Sequence, residues 1–126
     1  MKVMHFCINV KDIEKSIHFY RDILGLRLAR RREVPENNAE IVFMLGEGSD
    51  VGIELTHWRD KKDYSAGDYL DHIALGVEDV EALVEELRKK GVEIAMEPFS
   101  LKGSKHKIAF ITDPDGIWIE LVPLRR

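Results

Sequence analysis

Two stretches of the chain alternate apolar and non-apolar positions with a period of two. In Val3–Val10, Met4, Phe6, Ile8 and Val10 make one row and Val3, His5, Cys7 and Asn9 the other, which is the pattern of a half-buried strand. Leu70–Val77 behaves alike, with Ile73, Leu75 and Val77 opposite His72, Ala74 and Gly76. An aspartate follows each strand, Asp12 or Asp79, where its carboxylate can cap the unpaired amides of a helix. The helices are then predicted by apolar spacing. Val80, Leu83, Val84 and Leu87 form one stripe, and Ile13, Ile17, Tyr20 and Leu24 a comparable one. Gly25 and Gly91 stop them. Three more strands complete each half, near Arg27–Val34, Ala39–Leu45 and Val51–His57, and near Val92–Glu97, Lys107–Thr112 and Ile117–Val122. Turns at Gly46-Glu47-Gly48 and Asp113-Pro114-Asp115-Gly116 precede the last strand of each set.

The two halves are copies of one pattern. MHFCINVKD (Met4–Asp12) aligns with DHIALGVED (Asp71–Asp79), so that His5 meets His72 at a shift of 67 (72 − 5). VGIELT (Val51–Thr56) aligns with IWIELV (Ile117–Val122), and Glu54 meets Glu120 at a shift of 66 (120 − 54). A near-constant shift along the chain points to duplication. The expected fold class is α+β: two βαβββ modules forming curved mixed sheets within one domain, 1–126. Module one is placed at about 1–57, a polar linker at about 58–69 and module two at about 70–126.

Period-two geometry then isolates four residues. Ile53 and Leu55 face the core of one terminal strand and Ile119 and Leu121 that of the other, so Glu54 and Glu120 lie on the opposite faces. His5 and His72 also stand opposite the main apolar rows of their strands. Two imidazoles and two carboxylates thus occupy equivalent positions, away from the helices. Such nitrogen and oxygen donors suit zinc, nickel, cobalt or iron(II), and a dication removes the penalty of a buried carboxylate. His5, Glu54, His72 and Glu120 are therefore read as ligands of one divalent metal ion per site. His18 and His57 carry no such pairing. Trp118 is read as either core packing or a pocket wall, and Asp113–Gly116 as a turn without chemistry.

Composition narrows the function classes. A chain of 126 residues with a formal net charge of −4 argues against nucleic acid as the partner, and the short run Leu28–Arg32 (LARRR) reads as a solvated strand end. Cys7 is the sole cysteine, so no intrachain disulfide forms. Neither a signal peptide nor a membrane-spanning stretch is evident. A cytoplasmic location without membrane association is the expectation.

MKVMHFCINVKDIEKSIHFYRDILGLRL, GIELTHW, DHIALGV and AFITDPDGIWIEL together resemble the glyoxalase I (lactoylglutathione lyase) branch of the vicinal-oxygen-chelate superfamily, along the whole chain. The resemblance implies the ligand order His5, Glu54, His72, Glu120. It implies a homodimer whose metal sites each take His5 and Glu54 from one subunit and His72 and Glu120 from the other. The metal implied is nickel or zinc, with cobalt a further option. The implied reaction converts the hemithioacetal of methylglyoxal and a thiol, glutathione or another, to the S-lactoyl thioester through an enediolate. Glu120 would be the base and Glu54 a ligand and second proton carrier. Family members grip glutathione with an arginine and an asparagine where this chain has Asn9 and Trp58. Asn9 cannot make arginine's bidentate contact to a carboxylate. Lys102 matches a family lysine, and Asn9, Trp58, Lys102 and Trp118 are the expected substrate contacts. Arg59 or Lys105 could compensate for the lost arginine, and Phe99 and Leu101 could wall the pocket. The alternatives are an epimerase or dioxygenase built on the same site, and a small-molecule-binding protein of the superfamily.

Overall fold

Aspartate caps begin both helical segments as the sequence predicts. Asp12 accepts a hydrogen bond from the Lys15 N–H at 3.1 Å, and Asp79 accepts one from the Ala82 N–H at 2.9 Å. The structure is a computed structural model describing residues 1–65 and 67–124. The chain divides into two units, Met1–Ser65 and Ala66–Arg126, each built around a four-stranded mixed sheet.

The first unit contains β1 (His5–Asn9), α1 (Ile13–Ile17), β2 (Arg27–Val34), β3 (Ala39–Leu45) and β4 (Gly52–Trp58). Its sheet order is β1-β4-β3-β2. β1 runs parallel to β4, and the other pairs are antiparallel. Ile8, Val10, Val42, Met44, Ile53 and Leu55 form the buried face of the sheet, and the helical segment adds Ile13, Ile17, Phe19 and Tyr20. Each such side chain contributes about 1.5–3 kcal/mol by leaving water.

Local details depart from the sequence pattern, beyond ends of β1, β5 and β6 that shift by one to three residues. α1 lasts one turn and continues as a π-helix over His18–Ile23, with a bond from the Leu24 N–H to the Phe19 carbonyl. The wider turn lets the consecutive Phe19 and Tyr20 both be buried, which a 3.6-residue stripe does not anticipate. In β1 only the second half of the apolar row is covered, because Met4 and Phe6 stay exposed. β4 runs one residue further than expected and includes Trp58, which pairs with Ala39.

The second unit repeats the plan with β5 (Ile73–Val77), α2 (Val80–Lys89), β6 (Ile94–Phe99), β7 (Ile108–Thr112) and β8 (Trp118–Pro123). Its order is β5-β8-β7-β6, again with the first and last strands parallel. Val80, Val84 and Leu87 are buried as the stripe predicts, together with Ala109, Ile111, Ile119 and Leu121 of the sheet. The buried Asp113 carboxylate accepts from the Asp115 and Ile117 N–H groups, both at 2.9 Å. This ties the turn that launches β8, which is the structural role assigned to it. No described helix is long and apolar enough to cross a membrane.

One arginine of the LARRR run is ion-paired rather than merely solvated. Arg31 lies on the helix side of β2 and grips Glu40 with Nε at 2.5 Å and Nη2 at 3.2 Å, while Nη2 also reaches Glu14 at 2.5 Å. Glu40 is buried. The Arg31 guanidinium is held further above its ordinary range first by Glu40 and then by Glu14. Removing one partner of a buried pair leaves an uncompensated charge. Because the Arg31 side chain stays 38% exposed, solvent screens the pair, and Arg31→Met should lower stability by about 1 kcal/mol in urea unfolding, with Glu40→Leu restoring much of the loss. An unchanged midpoint in the single variant would show that the pair is a surface contact only.

Candidate metal centre

The parallel pairing of first and last strands sets the site in each unit. In the first, Cys7 stands opposite Glu54 and His5 opposite Gly52; in the second, Ala74 stands opposite Glu120. The duplicated residues therefore share one register. Each glutamate is diagonal to its histidine across adjacent strands, a separation that long side chains bridge. His5 Nε2 lies 3.4 Å from Glu54 Oε2. His72 Nε2 lies 3.0 Å from Glu120 Oε2. β5 begins one residue after His72, so this imidazole hangs from the strand entry rather than from its interior. Both glutamates are largely covered, with side-chain exposures of 17% and 18%.

A phenylalanine completes each pair. Phe43 of β3 stands opposite Glu54, and Phe110 of β7 opposite Glu120. Phe43 meets His5 edge-on with centroids 5.8 Å apart, and Phe110 meets His72 in the same way at 5.5 Å. These rings exclude water from one side of the histidine–glutamate contact, where a lower dielectric strengthens it. Sequence reading missed them as apolar strand residues. The signal was present, since 110 − 43 is the same shift of 67 that relates His5 to His72.

The units differ next to their glutamates. Gly52 lets the Phe43 ring lie against the β4 backbone. A Cβ there would sit 2.7 Å from Phe43 Cε1 and 2.8 Å from the Met44 carbonyl oxygen. The matching residue in the second unit is Trp118, whose ring packs on Phe110 at 5.4 Å and remains 40% exposed. Trp118 also borders a cleft of about 410 Å³ with Asp68, Leu70, Asp71 and Gly116. It is thus both a packing partner and a wall. Beside Glu54, the Cys7 thiol lies 3.1 Å from Thr56 Oγ1, and burial pushes its pKa up.

The other expected contacts are placed as follows. The Trp58 indole N–H donates to Asn9 Oδ1 at 2.9 Å, and these two side chains border a shallow cleft of about 320 Å³ with Asn37, Asp60 and Lys61. Lys102 is exposed in the turn after β6, as are Lys105 and Leu101. Arg59 is committed to Glu33 through Nη2 at 2.7 Å. His18 Nδ1 lies 3.0 Å from Asp22 Oδ2, and His57 Nδ1 lies 3.2 Å from the Val10 carbonyl oxygen.

The donor chemistry of each pair fits a metal. Two adjacent ligands of a first-row dication, bonded at about 2.0–2.2 Å, stand roughly 3 Å apart, which is the spacing of both Nε2–Oε2 contacts. Each unit offers two such donors. Among the described residues no group of three or more histidines, cysteines, aspartates or glutamates is assembled for a metal. His72 also has its other ring nitrogen oriented, with Nδ1 2.7 Å from Asp71 Oδ1, the arrangement that fixes the tautomer of a ligating histidine.

Two βαβββ units in one chain, each carrying a histidine on the first strand or its entry and a glutamate on the last, define a duplicated-module class of protein. The family model of the Glyoxalase/Bleomycin resistance protein/Dioxygenase superfamily matches residues 2–121, and the chain belongs to that family. It is 42% identical to a probable lactoylglutathione lyase of Synechocystis, over 97% of this chain and 95% of that protein. It is 38% identical to the lactoylglutathione lyase of Haemophilus influenzae, over 97% and 92%. Among solved structures it superposes on the trypanothione-dependent glyoxalase I of Leishmania major with a TM-score of 0.83 and 37% identity, covering 98% of this chain and 86% of that one. Glyoxalase I of Zea mays gives a TM-score of 0.87 at 33% identity, and this chain, 96% covered, spans only 44% of the maize chain. The glyoxalase I family is metal-dependent.

In the metal-free protein the second pair is an acid–base contact. The Asp71 contact first, and Glu120 after it, raise the His72 pKa above its ordinary value. The sign follows from linkage: stabilisation by this pairing is fully present below the pKa of an unfolded histidine and is lost as pH rises through the folded value. Titration of the metal-free protein followed by NMR should place His72 above a free histidine, and Asp71→Asn should bring it down. A His72 titrating at the free value would remove Asp71 as its partner.

Proposed function

We propose that the chain is a glyoxalase I-type lyase, isomerising the hemithioacetal of methylglyoxal and a thiol to the S-lactoyl thioester. The observation that carries this reading is the duplicated His–Phe–Glu cluster, in a chain similar over nearly its whole length to relatives named lactoylglutathione lyase. We assign His5, Glu54, His72 and Glu120 as the ligands of one divalent ion per site. Their mixed nitrogen and oxygen donors favour nickel or zinc, with cobalt acceptable. A dication bound there supplies Lewis-acid charge that steadies negative charge developing on the substrate oxygens.

The remaining work falls to the side chains. The reaction removes a proton from one carbon and returns it to its neighbour, so the group that takes it must keep it from bulk water. Glu120 is largely covered, with His72 against one of its oxygens and Phe110 beside both. We assign the proton shuttle to the Glu120 carboxylate, with Glu54 as a ligand and second carrier. Phe110 and Trp118 form the apolar wall against which the methyl group of the substrate packs.

A chain that presents two donors per unit needs two units for a full ligand set. We propose a homodimer in which His5 and Glu54 of one chain meet His72 and Glu120 of a second copy. The single cysteine is in keeping with a reducing compartment such as the cytoplasm.

Two experiments test this. Glu120→Gln should lower turnover of the methylglyoxal–glutathione hemithioacetal by about 10²–10⁴-fold while leaving the circular dichroism spectrum unchanged; near-normal turnover would free Glu120 from the role of base. His5→Ala and His72→Ala proteins should each be inactive and metal-poor. Unfolded and refolded together, they should regain about a quarter of the wild-type sites by random pairing of subunits, because one site of the mixed dimer is intact. No recovery would place all four ligands within one chain.

A further inference from the structure

Resting on the glyoxalase reading, we infer that Arg30 and Arg32 of β2 are the residues that recognise the carboxylates of the thiol. The observation begins with a bulge. The β2–β3 register shifts between Leu28 and Arg30, so that beyond it Arg30 and Arg32 stand on the same sheet face as Glu54 while Arg31 turns to the helix side. Two cross-strand rows result. One runs Arg30–Phe43–Glu54–Cys7 and the other Arg32–Ile41–Thr56–Asn9.

These rows place cations at a useful distance from the chemistry. The Arg30 guanidinium lies over the Phe43 ring, 5.9 Å from its centroid, and the same ring is edge-on to His5. Two strand spacings, roughly 10 Å, separate β2 from β4. A reacting carbon at the histidine–glutamate pair would leave the distant carboxylates of a tripeptide-sized thiol near β2. Arg32 ends the row that starts at Asn9. Asn9 itself is engaged by Trp58 through its carbonyl oxygen.

Charge accounting separates this face from ordinary surface. Arg21, Arg31, Arg59 and Arg88 each hold a carboxylate of the protein. Arg27, Arg30 and Arg32 are the described arginines that hold none, and their register puts all three on the open face of β2. In a chain with 23 acidic residues and a formal charge of −4, leaving these guanidinium groups unpaired on the face that carries His5 and Glu54 forgoes available ion pairs. The second unit shows that the fold does not require them: the positions pairing with Phe110 and Ile108 are Met96 and Phe99. Guanidinium groups are suited to bidentate carboxylate recognition.

The test uses metal-loaded protein and two probes differing only in charge, S-hexylglutathione and its diethyl ester, with binding read by calorimetry. Arg32→Ala and Arg30→Ala should each weaken the diacid about tenfold, leave the diester within about twofold, and raise KM for the glutathione adduct more than they lower kcat. Arg32→Lys should recover only part of the affinity. Lys62→Ala, which removes an exposed charge elsewhere, should change neither probe. Unchanged diacid affinity in both variants, an equal loss for diacid and diester, or no binding of the diacid by the wild-type protein would each overturn the inference. Diacid binding that depends on Arg32 without turnover of any hemithioacetal would uphold it and defeat the lyase reading instead.

Discussion

A carboxylate that is mostly covered by protein must find a positive or hydrogen-bonding partner, and in this chain that need organises both halves. Glu54 and Glu120 sit on the last strand of their sheets, where the neighbouring strand runs parallel and comes from the start of the same unit. Parallel pairing fixes which residues are diagonal to one another, and the histidine falls at the one place from which its ring can reach the glutamate. A phenylalanine from the third strand seals the contact. Capping aspartates, buried helical stripes and the Asp113 turn all serve to hold that diagonal.

The sequence carried much of this because the relevant signals are periodic. Alternation showed which faces are buried, and it placed β2 and β3 at their observed limits. The repeat identified His5 with His72 and Glu54 with Glu120, since a shift shared by four residues on separate strands has no local explanation. What escaped reading depends on contacts that period cannot express. The π-helical turn exists because Phe19 and Tyr20 are both buried, and only the packed structure shows it. The buried partner of Arg31 is nine residues away on another strand, so LARRR looked uniformly solvated. Phe43 and Phe110 were hidden for the opposite reason: a phenylalanine in a strand is unremarkable until its register with a glutamate is known.

The copies have since diverged around a common pair. Beside Glu54 lie a thiol, a glycine that yields space to Phe43, and an arginine above that ring. Beside Glu120 lie an alanine, a tryptophan stacked on Phe110, and a methionine. One half is polar and cationic at its edge, and the other is broad and apolar.

The irregularity in β2 bears on how this segment can evolve. Downstream of it, odd and even positions have traded faces, so one arginine neutralises a buried glutamate while its neighbours on either side look outward. Loss of a single residue there would exchange them, driving two cations beneath the helix and stranding Glu40 without a counterion. Substitutions along this strand can be absorbed one at a time, but a frame change cannot, so its length should drift far more slowly than its composition.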